Sequence, residues 1–212
     1  MLELSLQLFD EWTELFGTAA LIVHLIAYSI YAREVFHERI RPNISSWLMW
    51  LFGGVVELAT YNAISGSSWS TNALPFGCVL GTGAITFVIG IAQIRNYIAR
   101  TKYSYHAATR IDYALVSFDM AAAVYWLLGG SAVWANIFAV STSFISFIPI
   151  IRTTYRDPAG EHHLPWILWS IAYGLMFLAV VTGPSSESLG LYFFPLYYFL
   201  LHAGVAVLSK RI

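Results

Sequence analysis

The chain has 212 residues, of which 58% are hydrophobic, 17% aromatic and only 11% charged, with a mean hydropathy of +0.65. A soluble domain carries about 25% charge, because its core must be covered by polar surface. This composition therefore excludes a soluble enzyme and a disordered chain, and also a nucleic-acid binder, whose phosphate contacts need a basic surplus. The net charge of −1 favours no electrostatic partner, and the one cysteine, Cys78, excludes an internal disulfide framework or a cysteine metal cluster.

The first sixteen residues place Leu8, Phe9, Trp12, Leu15 and Phe16 at helical spacing opposite Asp10, Glu11 and Glu14. That pattern fits a short amphipathic helix at the outer interface, or a plain extension of the first span; the acidic leading stretch does not fit a signal peptide. Seven segments then offer the roughly 20 mostly apolar residues that cross about 30 Å of hydrocarbon. They cover 17–35, 46–64, 74–94, 111–128, 131–151, 165–182 and 189–208. Turn-forming residues separate them, including Gly66-Ser67-Ser68, Gly129-Gly130, Asp157-Pro158-Ala159-Gly160 and Gly183-Pro184. An all-α membrane protein of seven transmembrane helices is expected.

The basic residues fix the expected orientation. Arg33, Arg39 and Arg41, then Arg95, Arg100, Lys102 and Arg110, then Arg152 and Arg156, and finally Lys210 and Arg211 all fall on one side of an alternating seven-span path. Basic loops lie on the cytoplasmic side, so the N-terminus is expected outside and the C-terminus in the cytoplasm.

An internal repeat underlies this path. Trp47-Leu48-Met49-Trp50 and Trp166-Ile167-Leu168-Trp169 are 119 residues apart, as are Arg33 and Arg152; Pro75 and Pro195 are 120 apart. The offset spans four helices, so matched helices run in the same direction. The expected organisation is an amphipathic segment (1–16), a three-helix repeat (17–94), a cytoplasmic loop with linker helix (95–130) and a second three-helix repeat (131–212). Parallel repeats of this kind build transporters with a solute site at the repeat interface.

The 3+1+3 pattern resembles the PQ-loop and SWEET superfamily of seven-helix transporters. The family's Pro-Gln dipeptide corresponds to Pro149-Ile150 in the second half and to Ile30-Tyr31 in the first, so the glutamine is missing from both halves and the proline from one. The resemblance implies facilitated or proton-coupled movement of a small polar solute, such as a sugar or an amino acid, by alternating access. It also implies that mid-membrane polar residues of spans three and seven touch the solute. Thr82 and His202, which the 120-residue offset pairs, hold those positions, with Tyr173, Tyr198 and Asn136 as further polar groups for the cavity.

Ionisable residues inside spans are rare and point to function. Glu57 and His24 each lie about 10 Å below the outer end of their helices at 1.5 Å per residue. Adjacent helices would let them share a hydrogen bond and bind a proton reversibly; the plainer alternative is a static tie between spans one and two. Asp119, in the middle of span four, is either part of the proton path or a structural tie of the linker helix. Pro149 removes a backbone bond inside span five and is a candidate hinge.

The two Trp-x-x-Trp pairs start spans two and six, where indole rings suit the headgroup zone. An interfacial belt is expected there, with an aromatic clamp as the alternative. Gly77-x-x-x-Gly81 is a close-packing motif. Glu161, His162 and His163 do not make a closed metal shell, so no metal or cofactor is expected. No nucleophile–base pair marks an enzyme. The expected partners are a small-molecule solute and the lipid bilayer, not nucleic acid, and a homo-oligomer is left open. Competing readings are a non-transporting receptor or sorting protein on the same scaffold, and a vitamin uptake carrier.

Overall fold

A computed structural model describes residues 2–40, 42, 44–66, 69–99, 110–183 and 189–210, the side chains of 2–9, 45, 111, 112, 115, 116, 119 and 149 excepted. Among the described residues are seven α-helices: α1 (Leu2–Phe36), α2 (Ile44–Ser65), α3 (Trp69–Ile98), α4 (Arg110–Leu127), α5 (Ala132–Arg156), α6 (His163–Thr182) and α7 (Leu189–Ser209). α1 runs without a break, so the amphipathic stretch and the first span form one helix.

Five helices are long and apolar enough to cross a membrane: α1 from Asp10 onward, α3, α5, α6 and α7. α2 has the length, but Glu57, Thr60, Tyr61 and Asn62 dilute its apolar character. α4 has 18 residues, or about 27 Å at 1.5 Å per residue. Large apolar side chains such as Ile22, Leu80, Phe87, Phe138, Leu178 and Leu200 stand exposed around the helices. A soluble monomer does not present so much apolar surface. The chain is a multi-pass membrane protein.

Consecutive helices are not always neighbours. Among the described residues the α1 backbone packs on α3 and α6 and not on α2, and the α5 backbone packs on α7, α2 and α4 and not on α6; only side chains such as Tyr31–Trp47 and Phe147–Trp166 bridge those pairs. α3 thus lies between α1 and α2, and α7 between α6 and α5. The two groups meet along α1–α6 and α2–α5, with α4 against α5 and α2.

The α1–α3 seam is close because glycines line it. Gly17 abuts the Ser70 backbone, Gly77 the Leu21 side chain and Gly81 the ring of Tyr28, and a Cβ at Gly17 or Gly81 would overlap those atoms. Small residues let backbones approach in this way. Farther along α1, the Thr13 hydroxyl meets that of Thr182 on α6 at 3.0 Å.

α3 and α7 begin six residues before Pro75 and Pro195 rather than at them. A proline inside a helix leaves the carbonyl four residues back without its usual donor. For Pro195 that carbonyl belongs to Leu191, and the Tyr61 hydroxyl of α2 donates to it at 3.3 Å. The irregularity in α7 becomes a tie between helices.

Candidate functional site

The Trp-x-x-Trp pairs are not an interfacial belt. Trp47, Trp166 and Trp169 are among the most buried side chains of the protein, at 2% exposure or less. Spacing of three places both rings of a pair on one helical face. On α2 that face points inward, while Leu48, Phe52 and Val55 take the exposed face. Ring centroids of Trp47 and Trp50 are 5.1 Å apart, those of Trp166 and Trp169 5.0 Å, and Trp47 reaches Trp169 across the seam at 6.2 Å. The aromatic groups of the two halves form one cluster.

This cluster borders a cavity of about 40 Å³. That is room for roughly three waters and not for a sugar ring, so the side chains around the site are drawn close together. Of the residues expected to touch solute, Thr82, Tyr173, Tyr198 and His202 border the cavity, together with Glu57. Asn136 does not. It lies on α5 and donates to the Thr60 hydroxyl (3.1 Å) and the Glu57 carbonyl (3.4 Å), fastening α5 to α2.

Glu57 is buried, and its carboxylate is held from α7 and α5. The Tyr198 hydroxyl donates to Oε1 at 2.6 Å, and the Ser143 hydroxyl lies 3.3 Å from the same oxygen and 2.6 Å from the Tyr198 oxygen. The expected bond between Glu57 and His24 is absent. His24 Nε2 instead meets Cys78 Sγ at 3.3 Å, and its Nδ1 is buried with no hydrogen-bond partner. The cause is the packing order: α1 faces α3 and α6, so a residue on α1 meets Cys78 of α3 rather than Glu57 of α2. Cys78 also meets the Tyr173 hydroxyl at 3.2 Å, which extends the chain of polar contacts to α6.

His202 Nδ1 lies 2.8 Å from the Tyr198 carbonyl. A carbonyl only accepts, so Nδ1 carries a proton and Nε2 is the acceptor of the neutral ring. The imidazole packs among Phe147, Trp166, Trp169, Tyr173 and Tyr198, with centroids 5.0–5.9 Å away. The Thr82 hydroxyl donates to the Cys78 carbonyl of its own helix at 2.7 Å. The side chains of Asp119 and Pro149 lie outside the described residues.

Of the four indole nitrogens, that of Trp50 donates to the Ser146 hydroxyl at 2.5 Å and that of Trp166 to Glu161 Oε2 at 3.1 Å. That of Trp169 is buried with no partner, and that of Trp47 is buried beside Tyr31.

Beyond the cavity's edge, Glu161 occupies the segment before α6. It accepts from Trp166 and, at 3.5 Å, from the Tyr31 hydroxyl of α1. Burial pushes its carboxyl up to about 7, and the two hydrogen bonds pull the other way without cancelling it. Tyr31 is itself packed on Trp47 and Trp169 at 5.1 and 5.5 Å. His162 and His163 stack on each other, and among the described residues no three His, Cys, Asp or Glu side chains converge as a metal would require.

Comparison with known proteins finds no match for the chain among family models, curated proteins or solved structures. The architecture and the cavity carry the functional reading.

Proposed function

We propose that the protein is a carrier of a small polar solute, not an enzyme, built from two parallel three-helix repeats joined by α4. The observation that carries this reading is the composition of the cavity wall. Tyr28 and Phe147, Trp47 and Trp166, Trp50 and Trp169, and Gly54 and Tyr173 are pairs 119 residues apart. Cys78 and Tyr198, and Thr82 and His202, are pairs 120 apart. Twelve of the thirteen bordering residues thus match across the halves, with Glu57 the exception. The helix contacts support the same relation, since α1–α3, α3–α2 and α1–α6 correspond to α5–α7, α7–α6 and α5–α2.

A cavity built from equivalent faces of two parallel repeats is what alternating access uses: one repeat rocks against the other around a fixed site. The narrow cavity is then a contracted state of that site. All seven helices cross the bilayer in this reading, with the N-terminus outside and the basic ends in the cytoplasm. The resemblance to PQ-loop and SWEET transporters agrees with the 3+1+3 order. Uptake of radiolabelled solutes into proteoliposomes tests the proposal. Saturable uptake that His202→Phe abolishes is expected, and binding without movement across the bilayer would replace the carrier by a receptor.

A further inference from the structure

We propose that the cavity takes a small organic cation bearing a hydrogen-bond acceptor, a quaternary ammonium alcohol being the simplest case, held between indole faces with Glu57 as its counter-charge. This deepens the carrier reading and rests on the cavity being the solute site.

The wall chemistry selects among solutes. The cavity is bordered by four tryptophans, three tyrosines, Phe147 and His202; among the described residues its one carboxylate is Glu57, and no lysine or arginine borders it. An anion would meet that carboxylate with no bordering lysine or arginine to offset it. A sugar needs a dense set of free donors and acceptors, because each hydroxyl stripped of water must be repaid. Here three of the four bordering hydroxyls are already engaged: Thr82 with its own helix, Tyr198 with Glu57, and Tyr173 with Cys78, with Tyr28 the fourth.

A cation is served well by the same wall. Its charge is attracted to the ring faces, tryptophan most strongly, and the attraction grows when water is excluded. An alkylated ammonium asks for few hydrogen bonds, and so does not suffer from the engaged hydroxyls. Glu57 supplies the negative charge from a fixed position, set by Tyr198 and Ser143. The buried, unpartnered Nε1 group of Trp169 is a donor without an acceptor. Leaving such a group unsatisfied is unfavourable, and an oxygen on the solute would give it an acceptor. The rings now touch one another, with Trp169 5.1 Å from Tyr28 and 6.2 Å from Trp47. They form a collapsed cage that a cationic head would part.

Purified full-length protein in nanodiscs is titrated with choline, with tetramethylammonium, and with dimethylbutanol as the neutral carbon isostere of choline, following tryptophan emission and melting temperature. Choline and tetramethylammonium are expected to bind saturably, choline more tightly, and dimethylbutanol at least about tenfold more weakly than choline, a gap of about 1.4 kcal/mol. Glu57→Gln is expected to weaken choline by a similar factor and leave dimethylbutanol unchanged. The comparison of choline with its isostere uses the natural protein, so a Glu57→Gln variant that fails to fold does not spoil the test. Equal binding of choline and dimethylbutanol, or no binding of either cation, overturns the proposal. Choline binding without uptake into proteoliposomes keeps the cation site and removes the carrier reading. Uptake of a neutral sugar without choline binding keeps the carrier and removes the cation site.

Discussion

The Tyr31 hydroxyl of α1 donates to Glu161 at 3.5 Å, joining the first helix to the segment before α6 across 130 residues of sequence. Glu161 also receives the Trp166 indole, so one carboxyl braces two aromatic side chains of the cluster around the cavity.

Burial raises the Glu161 carboxyl from 4.5 to about 7. The folded protein therefore holds a proton there that the unfolded chain releases between those values. The contribution is fully present below about 4.5 and is lost as pH rises through about 7. The melting temperature of the natural protein is expected to fall relative to Glu161→Gln as pH goes from 5 to 8. Parallel curves for the two proteins would contradict it.

The buried tryptophans reverse the ranking that an interfacial belt implies. Trp47→Phe removes an indole that borders the cavity and is expected to reduce uptake by at least about tenfold, or 1.4 kcal/mol of barrier. Trp134→Phe, at a position 55% exposed, is expected to leave uptake unchanged. Proteoliposome assays of the two variants at equal protein density decide between these placements.

Gly81 sits against the Tyr28 ring, whereas Gly204 has open space where a Cβ would go. Gly81→Ala is expected to destabilise by about 1–3 kcal/mol through overpacking. Gly204→Ala is expected to gain roughly 0.5–1 kcal/mol from helix propensity. Thermal unfolding in one detergent measures both, and equal shifts would contradict the tight seam.

The proposed seven-crossing path would place Ala99 and Ser131 on opposite faces of the membrane. Single cysteines introduced at the two positions are expected to react with an impermeant maleimide from opposite sides, Ser131→Cys from outside. The natural Cys78 is buried and adds little background. Labelling of both from outside would remove the alternating path.

Helix number and approximate extent were legible in the sequence, because apolar length and turn residues report directly on both. Neighbourhood was not. His24 and Glu57 lie at matching depths in consecutive helices, yet α3 stands between those helices, and depth says nothing about which helices touch. The indoles show a related limit: a tryptophan near a helix end suits either the headgroups or a seam, and only the face it takes decides. A usable signal was nonetheless present. Extending the 119-residue offset beyond the tryptophans to Tyr28 and Phe147, and the 120-residue offset to Cys78 and Tyr198, would have marked inward positions on α1, α5, α3 and α7. Glu161 had no such marker, since its role depends on a partner 130 residues away.

The helix order also governs how the protein is made. α1 packs on α6, and His163 follows Phe36 by 127 residues. At about 5–20 residues per second, α1 waits roughly 6–25 s on the ribosome for that partner. During this interval the glycine seam lets α1 and α3 join, but His24, Tyr28 and Tyr31 still lack the α6 side of their surroundings. Synthesis that pauses between α4 and α6 prolongs the stage at which these side chains lack that surround.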